Sequence, residues 1–193
     1  MVSDLRHFLD MPDDAPAPAR RLAAQLAMIV RAATAGDTGA GWVSALPCPR
    51  RPGRRPCIGH IALNRTDIPA SIRWQCTHCG DEGIVSGWLS SAYDLRQLRA
   101  QPVVEKTHHV VISPETAAAL RSLLVLDLPG ERLVWRARIT GGHILLTATA
   151  AEFEDLLGYI AAEANHEPNK RRQKQLDAAF HALLAATQDL PDD

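Results

Sequence analysis

All four cysteines of the chain lie in one segment, and they constrain its fold more than any other feature. Eight residues separate Cys48 from Cys57, eighteen separate Cys57 from Cys76, and two separate Cys76 from Cys79. Two pairs of thiolates at the ends of short strands can meet at one tetrahedral Zn²⁺. The spacing therefore predicts that a metal ion organises this part of the chain.

The two cysteine pairs differ in how strongly they indicate a metal site. The second pair encloses only two residues, and the following Gly80 permits the positive φ that ends such a turn. The first pair encloses three prolines and a glycine, which predicts a long loop. His60 follows Cys57 at Cys-x2-His spacing, so it is the alternative to Cys48 as the fourth ligand.

Segments next to the second pair have apolar residues at every second position, which is typical of strands. The three predicted strands carry Ile61 and Leu63, Ile72 and Trp74, and Ile84 and Val85. Through the Cys-x2-Cys-Gly turn and these strands, residues 48–88 resemble the zinc ribbons of many bacterial and transcription-related proteins. The resemblance implies a three-stranded scaffold around a structural zinc ion held by Cys48, Cys57, Cys76 and Cys79. It implies no particular function, because one scaffold serves many.

Disulfides and buried free thiols are the alternatives to a metal site. Disulfides need an oxidising compartment, and we find no secretory signal before the cysteines. With 193 residues, 46% hydrophobic composition and a net charge of −1, the sequence is typical of a soluble protein. No apolar run reaches the ~20 residues that a membrane-spanning helix needs. We therefore expect a cytoplasmic protein with no membrane partner.

The cysteine segment is locally basic, although the chain as a whole is not. Its arginines are Arg50, Arg51, Arg54, Arg55, Arg65 and Arg73, against one acid, Asp67. Guanidinium groups match phosphate oxygens, and a proline-stiffened loop loses little entropy on binding. The four arginines between the first two cysteines are therefore candidates for binding nucleic acid or a protein associated with it. Alternatively, they offset the negative charge of a zinc–thiolate centre and keep the loop soluble.

The whole chain is predicted to have an α+β fold in which the ribbon is one of several segments. We expect a flexible arm at 1–19, an amphipathic helix and linker at 20–41, the ribbon with a short helical exit at 42–100, an α+β domain at 103–188 and an acidic tail at 189–193. Apolar residues share one face of the helix at 20–35, so this helix must pack on another domain or on a second copy of the chain.

Within 103–188, the pattern predicts the order strand, helix, hairpin, helix, helix. The helix start at 113–115 has serine, proline and glutamate in the N-cap and first-turn positions. We expect this helix to end near Asp127, before a turn at 128–130.

The predicted hairpin and the two helices after it also have recognisable signals. The first hairpin strand is predicted from the alternating residues Leu133, Trp135, Ala137 and Ile139. A glycine-containing turn at 140–142 joins it to the second strand. Thr149 and Glu152 form a capping box for the next helix, and Pro168 separates that helix from the last one.

Glu163, His166 and Glu167 form the one group of residues that suggests catalysis. A glutamate and a histidine three apart share a helix face, as in some di-metal carboxylate sites. Such a site needs a second pair and further carboxylates, which the sequence lacks. Alternatively, the group is a polar helix corner in which the two glutamates pair with the basic run 170–174. The sequence has no phosphate-binding glycine loop, Gly-x-Ser-x-Gly or His-Glu-x-x-His motif, so an enzyme is the less favoured interpretation.

The sequence supports three functional hypotheses. The first is a bacterial-type protein with a structural four-cysteine zinc site, which binds nucleic acid or regulates through the arginine-rich loop. The second is an adaptor or homo-oligomer in which zinc is purely structural and the helix at 20–35 makes the contact. The third is a metal-dependent enzyme that uses an open metal site or the corner at Glu163, His166 and Glu167.

Overall fold

The computed structural model describes residues 1–12, 14–36, 38–39, 41–96 and 106–188. The chain divides into two compact units, an N-terminal unit at Met1–Arg96 and a C-terminal unit at Gln97–Asp193. Both units contain helices and strands, so the predicted α+β class is confirmed. In the described ranges, no helix combines the length and the apolar character needed to cross a bilayer.

The N-terminal unit is a mixed sheet with a long helix. Its elements are β1 (Val2–Asp4), α1 (Ala17–Ala35), β2 (Trp42–Pro47), β3 (His60–Asp67), β4 (Ala70–Cys76) and β5 (Glu82–Ser86). The strand order is β1-β5-β4-β3-β2; β1 runs parallel to β5, and the other neighbours are antiparallel. The three strands predicted from alternation are β3, β4 and β5. They form the middle of a larger sheet, because β1 and β2 extend it on either side.

Helix α1 packs on the sheet of its own unit, where it contacts β2, β3 and β4. Its buried residues are Leu26, Ile29, Val30, Ala32, Ala33, Thr34 and Ala35. The apolar face that the sequence leaves without a partner is therefore covered within the N-terminal unit.

A buried arginine from β3 fixes the C-terminal end of α1. The Arg65 guanidinium donates hydrogen bonds to the carbonyls of Ala33, Thr34 and Gly36 at 2.9, 3.1 and 3.0 Å. These carbonyls have no partner within a helix and carry its negative dipole end, so a cation is favourable there. Asp67 lies 3.2 Å from the Arg65 Nε and compensates the buried charge.

The structure places ordered elements where the sequence predicts a flexible arm at 1–19. Val2 pairs with Ile84 in the parallel β1–β5 ladder, and Leu5 is fully buried. Helix α1 begins at Ala17 rather than Arg20. The backbone pairing of β1 and the buried Leu5 side chain fix the start of this segment. The amino-acid composition of 1–19 predicts neither of them.

The C-terminal unit combines a small antiparallel sheet with four helices in its described part. Its elements are β6 (His108–Ile112), α2 (Pro114–Arg121), α3 (Leu128–Trp135), β7 (Arg138–Thr140), β8 (His143–Ala148), α4 (Ala150–His166) and α5 (Lys170–Thr187). The strand order is β7-β8-β6. Residues 97–105 and 189–193 lie outside the described residues. The end of the predicted helical exit, the start of the predicted strand at 103 and the predicted acidic tail fall in those ranges.

Helix α3 corrects the sequence prediction at 128–135. The sequence predicts a turn followed by a strand there, but α2 ends at Arg121 and a new helix begins at Leu128. The Asp127 side chain accepts a hydrogen bond of 2.9 Å from the Gly130 N–H, and Pro129 lies in the first turn. Asp, Pro and Gly are common both in turns and at helix starts, and here they form the start of a helix. The hairpin strand β7 is consequently short.

The helix signals farther along the chain are present as predicted. Thr149 and Glu152 cap each other's backbone N–H groups at the start of α4. Helix α4 ends at His166, and α5 begins after Asn169, whose side chain accepts hydrogen bonds from two backbone N–H groups of the next helix.

Candidate metal centre and arginine loop

The four cysteine sulfurs meet at one point in the N-terminal unit. All four Sγ atoms of Cys48, Cys57, Cys76 and Cys79 lie within 4.8 Å of one another. The Cys48–Cys79 and Cys57–Cys76 pairs are each 3.7 Å apart. Disulfide sulfurs would lie about 2 Å apart. Sulfurs bound 2.3 Å from one tetrahedral ion would lie about 3.8 Å apart. The cluster therefore has the spacing of a metal site and could hold a metal ion.

Backbone geometry around the cluster explains why the sulfurs converge. Cys76 is the last residue of β4, and its Sγ accepts hydrogen bonds from the N–H groups of His78 and Cys79 at 3.3 and 3.4 Å. The Cys57 Sγ accepts one from Gly59 at 3.4 Å. N–H groups aimed at sulfur stabilise negative charge there, and thiolates are the form that binds a metal.

The thiols differ in acidity before any metal binds. Burial raises the pKa of the Cys48 thiol to about 12. Burial also acts to raise the pKa of Cys76, but the N–H groups of Cys79 and His78 outweigh it and lower the value to about 7. A metal ion held by this cluster would bind all four cysteines as thiolates, so its binding would release protons.

Gly59 is a residue of the site that the sequence analysis did not single out. A Cβ atom at this position would lie 2.5 Å from the Cys76 Sγ and 2.9 Å from the His78 backbone nitrogen. The two cysteine-bearing turns therefore touch at Gly59, and a larger residue would push them apart. Its place, two residues after Cys57, is the signal that could have identified it.

His60, the alternative ligand, is not part of the sulfur cluster, because the group of metal-ligating atoms in the described residues comprises the four cysteines. Instead, its backbone joins the two halves of the site. The His60 carbonyl accepts a hydrogen bond from the Thr77 N–H at 2.9 Å, and the His60 N–H donates to the Thr77 hydroxyl at 3.0 Å.

The loop between the first two cysteines carries the four candidate arginines; we call residues 49–56 the arginine loop. Arg50, Arg51, Arg54 and Arg55 are all exposed. The Arg50 Nε lies 3.5 Å from an Asp81 carboxylate oxygen. A cleft of about 630 Å³ separates the start of the loop from the turn at Cys79. Asp81 was not predicted as a site residue, and no motif marks it.

The two other arginines of the cysteine segment lie outside this loop. Arg65 is buried at the end of α1 and bonded to the helix carbonyls. Arg73 is exposed on β4. The local positive charge counted along the sequence is therefore larger than the charge the loop presents.

The predicted polar cluster of the C-terminal unit is organised by an arginine. The buried Glu163 carboxylate accepts a hydrogen bond from the Leu124 N–H at 2.7 Å and forms an ion pair with Arg172. Arg172 also lies 2.8 Å from Glu167. His166 is exposed, and its Nδ1 lies 2.8 Å from the Ala162 carbonyl. The two glutamates thus anchor α5 to its own unit.

Comparisons of the chain with models of protein families, with curated proteins and with solved structures found no match. The geometry of the site is therefore the basis for the functional proposal.

Proposed function

We propose that this is a zinc-binding protein in which a structural four-cysteine site positions the arginine loop for binding nucleic acid. The main support for this proposal is the sulfur cluster, in which two Sγ pairs lie 3.7 Å apart and all four Sγ atoms lie within 4.8 Å of one another. Four thiolates favour Zn²⁺ or an iron–sulfur centre, and a closed set of four protein ligands is typical of structural zinc. The likeness of residues 48–88 to bacterial and transcription-related zinc ribbons supports the same choice.

Elemental analysis of the purified protein tests the metal. We expect one zinc per chain in the wild type and in His60→Ala, and loss of zinc in Cys48→Ser, because serine replaces a ligand whereas His60 lies outside the sulfur cluster. Iron in place of zinc, or an unchanged zinc content in Cys48→Ser, would contradict the proposed site.

Exposed positive charge on a constrained loop supports nucleic acid as the partner. Four guanidinium groups project from a segment that begins and ends at metal-ligating cysteines, so the loop is ordered before it binds. A preordered loop loses little conformational entropy on binding, and guanidinium forks suit phosphate oxygens.

Replacing Arg50, Arg51, Arg54 and Arg55 together by alanine tests the partner. We expect this variant to keep its zinc and fold but to lose salt-sensitive binding to nucleic acid, measured by fluorescence anisotropy. Arg73→Ala is the matched control, because it removes an exposed arginine of the same unit outside the loop. Equal binding by the quadruple variant and the wild type would exclude the loop as the nucleic-acid site.

The proposal includes a cytoplasmic location, because thiolates persist in a reducing compartment. The adaptor and oligomer alternative has less support, since α1 buries its apolar face within its own unit. Light scattering checks this point: we expect the mass of a single chain at every protein concentration. We base no catalytic proposal on Glu163, His166 and Glu167, because Arg172 engages both glutamates.

A further inference from the structure

The arginine loop has a fixed base and a tightly turned tip. At the base, the Cys48 N–H donates to the Gly59 carbonyl at 2.8 Å and the Cys57 N–H donates to the Arg50 carbonyl at 2.9 Å. At the tip, the Arg54 and Arg55 N–H groups donate to the carbonyls of residues 51 and 52 at 3.1 and 3.2 Å. Backbone hydrogen bonds therefore hold residues 51–55, the tip of the loop, in one defined conformation.

The four arginines of the loop are not equivalent. Arg50 has a carboxylate neighbour, Asp81, on the turn that also holds Cys79. Arg51, Arg54 and Arg55 are exposed, and no acidic residue in the described ranges pairs with them. The ion pair connects the loop to the second cysteine turn, while the tip presents three positive charges that no described acidic residue compensates.

Arg54 adopts a backbone conformation that an arginine rarely takes. Its φ is +67°, next to Gly53 at +59°. Glycine would occupy such a position at lower cost. Residues retained in disfavoured conformations are concentrated at functional sites, so the positive φ of Arg54 points to a functional role for this residue. A glycine at position 54 would relieve the strain but would lack the guanidinium group.

Proteins that hold single strands usually stack bases on exposed aromatic side chains. The part of the N-terminal unit that the structure describes has no exposed Phe, Trp or Tyr side chain. The described aromatic residues of the N-terminal unit are buried or half-buried, namely Phe8, Trp42, Trp74, Trp88 and Tyr93. The tip carries arginine, proline and glycine only. Guanidinium groups match phosphate oxygens, and a duplex presents phosphates as closely spaced charges along two strands.

We infer that Arg51, Arg54 and Arg55 bind the phosphates of a nucleic-acid duplex, and that Arg50 is a positioning residue that holds the loop through Asp81. This inference rests on the proposed nucleic-acid function and adds the class of partner and the division of roles.

Fluorescence anisotropy across a salt series tests the inference on the full-length, metal-loaded chain. The probes are a duplex DNA of about 20 base pairs, an RNA duplex of the same sequence and the corresponding single strands. We expect tighter binding to either duplex than to its single strands. For duplex DNA, three phosphate contacts predict a slope of log K against log salt of about −2.7. Tighter binding to single strands than to duplexes would overturn the choice of partner.

Single substitutions separate the roles of the four arginines. We expect Arg51→Ala, Arg54→Ala and Arg55→Ala each to reduce the steepness of the slope by about 0.9. Arg50→Ala and Asp81→Asn should leave the slope unchanged. A loss in Arg50→Ala as large as in the tip variants would overturn the assigned division.

Arg54→Gly distinguishes a binding role from a structural one. We expect it to bind duplex as weakly as Arg54→Ala, with a melting temperature at or above that of the wild type. Ser90→Gly is the control, because Ser90 also has positive φ, at +58°, and lies outside the loop. It should relieve a similar strain without changing binding. Wild-type binding by Arg54→Gly would overturn the role of Arg54, whereas absence of binding to every probe at low salt would overturn the proposed function itself.

Discussion

The N-terminal unit and the C-terminal unit are each stabilised internally by different features. In the N-terminal unit, α1 and the sheet bury apolar residues such as Leu26 and Leu63, but the segments without regular structure around the cysteines converge on four sulfurs. In the C-terminal unit, helices begin at side-chain caps and bury large apolar residues such as Phe153 and Ile160. A long, proline-rich loop cannot bury enough surface to order itself, so it needs a cross-link. Helices with caps and an apolar face do not.

Removal of the metal should produce the largest difference in stability between the two units. Binding of structural zinc contributes on the order of 10 kcal/mol in small domains. We therefore expect a strong chelator to abolish the amide-exchange protection of β3 and β4 near Cys76. Protection in β8 and α4 should persist, because no sulfur cluster supports them among the described residues. Hydrogen exchange followed by mass spectrometry measures both regions in one sample.

Restoring zinc should restore the protection of β3 and β4, which is the control for irreversible damage by the chelator. Equal loss of protection in both units would mean that the C-terminal unit also depends on the metal. The contrast between the units would then be wrong.

Phe153→Ala should give the reverse pattern. Phe153 is 1% exposed, and truncating a buried phenylalanine costs about 3–5 kcal/mol. The expected result is loss of protection in α4 and α5, with the zinc content and the protection of β4 unchanged. Glu154→Ala, at an exposed position of the same helix, is the matched control and should have little effect.

The cysteine cluster and the strands beside it could be predicted because their signals are local. Cysteine spacing, apolar alternation and the Thr149–Glu152 capping box each depend on a few neighbouring residues. Helix α3 was missed because Asp127 and Pro129 fit a turn as well as a helix start. Strand β1 and the pairing of Arg50 with Asp81 depend on segments distant in sequence, which no local pattern specifies.

Gly59→Ala should weaken the N-terminal unit by an intermediate amount. The added methyl group would lie 2.5 Å from the Cys76 Sγ, so one of the two turns must move. Steric overlap of this kind costs about 1–3 kcal/mol, and the displaced sulfur should bind the metal less tightly. Competition with a chromophoric zinc chelator measures this affinity. Wild-type affinity in Gly59→Ala would show that the turns do not touch at this position.

The same substitution in the other unit should have a small effect of opposite sign. Gly158 lies on an exposed face of α4, and a Cβ atom there would meet nothing within 4 Å. Alanine is favoured over glycine within a helix by about 1 kcal/mol, so Gly158→Ala should raise the melting temperature of the C-terminal unit slightly. Its zinc affinity should equal that of the wild type. If Gly158→Ala destabilised its unit as much as Gly59→Ala destabilises the other, the cost at Gly59 could not be attributed to crowding at the sulfur cluster.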